Sequence, residues 1–149
     1  MLDFFLKGLL PQKGKARLIN HIINYNPLEK SLCVSARLNR YSRYFINSLN
    51  SEMLIEVAAQ ASILLSMLNG FNLWKSHKSN GLTLPKNYLL TRAKITKIDL
   101  LHLWDSEYMV KVTKDSELGK NIVFNFECYL LDNSLSKNSF LEGFIYTQG

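Results

Sequence analysis

Along most of this chain apolar residues alternate with polar ones, the period of a half-buried strand; a helical period opens only the segment between residues 50 and 85. Leu32, Val34, Ala36 and Leu38 alternate with Cys33, Ser35 and Arg37, and the run Arg17 to Tyr25 before them reads as another strand. Asn26-Pro27 is a turn signal between the two, so they are expected to pair as a hairpin. Strict alternation puts Ile19, His21, Ile23 and Tyr25 on one face of the first of them. Further strand-like runs lie at Tyr88 to Ile98, Tyr108 to Lys114, Asn121 to Leu131 and Phe140 to Thr147. In the third of these runs Phe124, Phe126, Cys128 and Leu130 fall on one face, with Asn125, Glu127 and Tyr129 on the other. Glu117-Leu118-Gly119-Lys120 supplies the hairpin turn before it.

The helical segment runs Leu54, Val57, Ala58, Ala61, Leu65 and Leu68, the i, i+3, i+4, i+7 series of a helix with one buried face. Ser48, Asn50 and Ser51 offer N-caps, Glu52 suits the positive end of the dipole, and Gly70 suits a left-handed stop. Such a helix spans about 27 Å, long enough to cross a sheet. A shorter amphipathic stretch, Leu2 to Leu10, ends at Pro11 and a loop from Gln12 to Lys15. One long helix with five or six antiparallel strands implies an α+β layer in which the sheet covers the helix's apolar stripe.

The 149 residues carry no internal repeat and no linker, so a single domain over residues 1–149 is expected. An apolar content of 47% and a charged content of 20% exclude a disordered or fibrous chain. The longest stretch without a charge, Val57 to Trp74, is interrupted by polar residues and falls short of the roughly 20 apolar residues of a bilayer span. Asp3 precedes the apolar residues of the N-terminus and no small-residue cleavage site follows, so a cytoplasmic location is the expectation. Cys33 and Cys128 stand outside any C-x-x-C pattern and read as buried thiols. A net charge of +6 favours acidic partners without choosing among them.

Glu56 and Gln60 are four residues apart and share one side of the helix. The apolar neighbours Ile55 and Val57-Ala58-Ala59 draw Glu56 out of water, the setting of a general acid or base; the alternative is a solvated glutamate bonded to Gln60. His21 reads as a strand residue, His77 as part of a polar loop, and His102 as a neighbour of Trp104; none has metal-ligand spacing, so no metal or other cofactor is expected. Arg37, Arg40 and Arg43 interleave with Tyr41 and Tyr44, an arrangement able to clamp phosphates, but no nucleic-acid-binding motif accompanies them. Leu64, Leu68, Phe71 and Trp74 read as core rather than as the lining of a tunnel.

The segment Met53-Leu54-Ile55-Glu56-Val57-Ala58-Ala59-Gln60-Ala61 resembles the central-helix signature of the 3-hydroxyacyl-[acyl carrier protein] dehydratases, E-A-x-A-Q after apolar residues. Leu10-Pro11-Gln12 and Arg17-Leu18-Ile19-Asn20-His21-Ile22 are similar to the family's L-P-H opening and its first strand, and Tyr88-Leu89-Leu90-Thr91-Arg92-Ala93-Lys94 to the strand after the helix. Within that superfamily the chain looks most like the short dehydratase-like proteins of aryl-polyene and related clusters. The resemblance implies a hotdog fold, a sheet wrapped around the helix, and homodimers or heterodimers with sites at the subunit junction. It also implies acyl chains delivered on the phosphopantetheine of an acyl carrier protein. Glu56 matches the family's acidic helix residue, whose partner is a histidine of the other subunit.

That histidine has no counterpart between Arg37 and Ile55: Ser42 stands at its spacing, and Ser51 where a glycine precedes the helix. The resemblance therefore makes Glu56 the catalytic carboxylate, Gln60, Ser51 and Ser42 substrate-binding residues, and Arg37, Arg40 and Arg43, with Lys13, Lys15 and Arg17, the surface for the carrier protein. The expected function is that of a dehydratase-like protein acting on or binding acyl-carrier thioesters in fatty-acid, polyketide or aryl-polyene synthesis. The alternatives are a non-catalytic partner of an active dehydratase and a hotdog thioesterase.

Overall fold

The computed structural model describes residues 18–37, 50–76, 89–99, 107–130 and 138–148. In chain order the elements are β1 (Ile19–Asn26), β2 (Ser31–Arg37), α1 (Asn50–Ser76), β3 (Leu89–Ile98), β4 (Glu107–Leu118), β5 (Asn121–Leu130) and β6 (Leu141–Gln148). The strands form one six-stranded sheet in the order β1-β2-β4-β5-β6-β3, and every neighbouring pair is antiparallel. The expected stretch from Leu2 to Leu10 and the loop after it lie outside the described residues.

Alternation builds the face that meets the helix. Leu32, Val34 and Ala36 of β2, Tyr108, Val110 and Val112 of β4, Ile122, Phe124, Phe126 and Cys128 of β5, and Leu141 and Ile145 of β6 are all buried. They pack with Leu54, Val57, Ala58, Ala61, Leu64, Leu65 and Leu68 of α1 into one core, so Leu64 and Leu68 are core residues as their spacing predicts. Gly119 closes the β4–β5 hairpin at a φ of +61°, at the first of two loop positions between paired Leu118 and Asn121. Asn26 Oδ1 accepts hydrogen bonds from the backbone N–H groups of Leu28 (3.0 Å) and Glu29 (3.2 Å), which turns the chain from β1 into β2.

Four expectations need correcting. First, β1 does not keep strict alternation: register shifts between Ile19 and His21 and between Ile22 and Asn24 move Ile22 and Tyr25 onto the core beside Ile19, and leave His21 and Ile23 exposed. Second, α1 does not stop at Gly70 but continues to Ser76, 27 residues and about 40 Å in all. Glycine permits the left-handed conformation without requiring it, and no proline stands between Gly70 and Ser76 to end the helix sooner. Third, α1 is not one-sided: from Met53 to Ser66 only Ile55 and Glu56 fall short of full burial, the state of a helix that is apolar or small all round. Fourth, Cys128 is buried but Cys33, on the opposite face of the sheet, is only half-buried.

By length and composition Glu52–Gly70, with a mean hydropathy of 1.4, passes as a membrane span; 67% of it is already buried against the rest of the chain, as in the core helix of a sheet-wrapped domain.

Candidate functional site

Glu56 lies on α1 one turn before Gln60, at the one gap in the helix's buried stretch. Gln60 has no exposure at all. Its Oε1 accepts a hydrogen bond from the backbone N–H of Leu18 at 3.0 Å, just ahead of β1. That bond fixes which end of the amide faces where, so Nε2 is left to donate to Glu56 Oε1 at 3.3 Å. The backbone of β1's approach thus orients Gln60, and Gln60 orients a half-buried carboxylate through one of its two oxygens. A carboxylate so held can take up or release a proton at a fixed place.

Further along the helix, Tyr25 Oη donates to Asn69 Oδ1 at 2.8 Å and ties β1 to the last turns of α1. Burial pushes the Tyr25 phenol above its ordinary value. Ser62 Oγ donates back to the Ala58 carbonyl at 2.7 Å, while Ser66 Oγ is buried with no hydrogen-bond partner among the described residues.

The remaining sequence-derived residues fall in different places. Ser51 occupies the first turn of α1, five residues before Glu56. Arg37 ends β2, exposed, with Nε 3.7 Å from Glu107 Oε1 across the strand pair; such a solvated pair contributes little and leaves the guanidinium accessible. Ser42, Arg40, Arg43, Lys13, Lys15, Arg17, His77 and His102 lie outside the described residues. His21 is exposed on β1, and its backbone N–H donates to Ser35 Oγ at 3.1 Å. Among the described residues no group of three His, Cys, Asp or Glu side chains could hold a metal ion.

Sequence reasoning missed a second feature. Where β6 ends and β5 begins, Arg92 of β3 places its guanidinium carbon 4.3 Å from the centre of the Tyr146 ring. Beside it a cleft of about 410 Å³ is lined by Arg92, Asn121, Val123, Tyr146 and Gln148, with Ile122 and Thr147 beneath. The alternation of β3 and β6 carries the signal, but only the pairing of Arg92 with Tyr146 brings the two together.

No protein-family model matches the chain, and no curated protein matches it. Solved structures do. The dehydratase heterocomplex ApeI:P from Xenorhabdus doucetiae superposes with a TM-score of 0.65 at 15% identity, covering 99% of this chain and 89% of that one. A putative thioesterase from Syntrophus aciditrophicus gives 0.65 at 9% identity, over 99% and 95% of the two chains. The PaaI protein from the phenylacetic acid degradation operon of E. coli gives 0.57 at 11% identity, over 90% and 80%. At such identities the likeness speaks for architecture rather than for reaction. One long helix enclosed by a six-stranded antiparallel sheet, superposable over most of its length on these proteins, is the hotdog fold, and this chain is a hotdog-fold protein.

Proposed function

We propose that this chain is a dehydratase-like subunit that takes acyl-carrier-protein thioesters, with Glu56 at the reacting end of the acyl chain and a second hotdog subunit completing the site. The observation that carries the reading is the relay Leu18 N–H to Gln60 to Glu56, which holds one half-buried carboxylate at the gap in the buried stretch from Met53 to Ser66. Dehydration of a 3-hydroxyacyl thioester needs two proton-handling groups. A base takes the α-proton as the double bond forms, and an acid gives a proton to the departing hydroxyl, which leaves as water. Glu56 supplies one of these in this reading, and a second subunit supplies the other.

Two further observations support a partner. The superposable ApeI:P is a dehydratase heterocomplex. β3 has a neighbour on one side only among the described residues, and Ile95 and Ile98, which register with core residues Gly143 and Leu141, are 40% and 45% exposed. A second hotdog subunit laid along this edge would pair its backbone and cover both isoleucines. Arg37, with Arg40 and Arg43 after it, is the proposed landing site of the acidic carrier protein, and Ser42 and Ser51 are proposed to flank the acyl chain.

The test is incubation of the pure chain with a 3-hydroxyacyl carrier thioester, alone and with a dehydratase of the same fold, followed by analysis of the thioester. Formation of the enoyl thioester in the mixture, reduced about 10²–10⁴-fold by Glu56→Gln, is expected. Full activity with Glu56→Gln would make the chain a non-catalytic partner, and release of free acid would make it a thioesterase. Unchanged substrate in both mixtures overturns the reading.

A further inference from the structure

The cleft beside Arg92 belongs to neither Glu56 nor the open edge of β3. Arg92, Lys94 and Lys97 are exposed and register with Tyr146, Phe144 and Glu142, so all three cations stand on the sheet face turned away from α1. Positive charge along an edge strand by itself only protects the edge from pairing. The Arg92 side chain does something more specific: it lies over the Tyr146 ring, on the β6 side of its own strand and away from the open edge. A stacked guanidinium spends its face on the ring and keeps its in-plane N–H donors for a planar or tetrahedral oxyanion. Arg92 lines the cleft together with Asn121 and Gln148, whose carboxamides each offer both a donor and an acceptor.

Charge and size narrow the ligand. Among the described residues no carboxylate lines the cleft, and Lys120 adjoins Asn121 in the hairpin turn. Glu117, across the hairpin from Ile122, is engaged by Lys114. Glu142 is four residues along β6 from Tyr146, about 13 Å away along the strand, and it accepts a hydrogen bond from Ser139. A volume of about 410 Å³ lies in the range of small-ligand sites. The positive charge of Arg92 and nearby Lys120 favours the doubly charged phosphate monoester over a carboxylate, and the carboxamides of Asn121 and Gln148, which face each other across the strand pair, suit the hydrogen-bonding edge of a heterocycle.

We infer that the Arg92–Tyr146 cleft binds a mononucleotide-sized phosphate monoester, with the phosphate on the in-plane donors of Arg92 and the base between Asn121 and Gln148.

Calorimetric titration of the full chain with adenosine 5′-monophosphate, inorganic phosphate and adenosine separates the contributions. The nucleotide is expected to bind more tightly than either fragment. Arg92→Gln, at an exposed position, should weaken nucleotide binding by about tenfold or more, and Arg92→Lys, which keeps charge but loses the fork, should also weaken it. Asn121→Ala should reduce nucleotide binding while leaving that of phosphate unchanged. Glu56→Gln should leave all three titrations as they were, which separates this site from the proposed acyl site. No heat or chemical-shift change with the nucleotide at millimolar concentration, equal affinity for nucleotide and phosphate, or wild-type affinity in Arg92→Gln overturns the inference.

Discussion

Replacing Gln60 with leucine tests whether the relay to Glu56 holds this part of the structure together. Leucine is similar in size and fits a position with no exposure, so packing is nearly conserved. What changes is polar. The Leu18 N–H loses its acceptor at 3.0 Å in a buried setting, and an orphaned buried donor costs about 1–3 kcal/mol. The 3.3 Å bond to the half-solvated Glu56 contributes about 0.5–1 kcal/mol more, and the apolar side chain returns about 1 kcal/mol. The balance is a loss of about 2 kcal/mol, or about 4–8 °C in melting temperature for a chain of this length. Thermal and urea unfolding of the variant beside Glu52→Gln, an exposed first-turn control, measure it. A Gln60→Leu protein that melts within a degree of the parent would refute the reasoning, because Leu18 would then have another acceptor or no need of one.

Three more outcomes follow from the described geometry. Gly143→Ala should cost about 3 kcal/mol or more, or prevent folding, because its Cβ would stand 2.1 Å from the Lys94 carbonyl oxygen and 2.8 Å from Phe126 Cε1; denaturant unfolding reports it, and the backbone oxygen cannot swing aside. Burial raises the folded-state thiol of Cys128 far above its ordinary 9.0, so the unfolded chain loses that proton first and stability should fall as pH rises above about 9. Cys128→Val should remove part of that alkaline slope in urea midpoints taken across the range. Tyr25→Phe breaks the 2.8 Å bond to Asn69 and should lower stability by about 0.5–1.5 kcal/mol in the same assay.

The parts of this molecule readable from sequence are those in which one residue's neighbours along the chain decide its environment. β5 keeps perfect alternation, and its Phe124, Phe126 and Cys128 went inward as their spacing predicts. The Glu56–Gln60 pair was legible for the same reason, since i and i+4 meet on any helix. What could not be read depends on residues distant in the chain. The β1 register shifts arise against β2, the burial of Ala59 and Ile63 requires more than one stripe of contacts, and Leu18's hold on Gln60 joins residues 42 positions apart. Arg92 and Tyr146 meet only because the last strand lies beside β3.

The sheet order also dictates how the molecule assembles. β4, β5 and β6 form a local meander that needs only short connections, whereas β2 must cross back to β4 after α1 and β3 have intervened. Contacts between sequence-distant strands close late because chain entropy opposes them until a template exists. The β1–β2 hairpin is therefore expected to dock after the meander, and it is the piece that delivers the Leu18 amide to Gln60. A chain in which that step is incomplete would leave Gln60 without its Leu18 partner, and with it the 3.3 Å bond that positions Glu56.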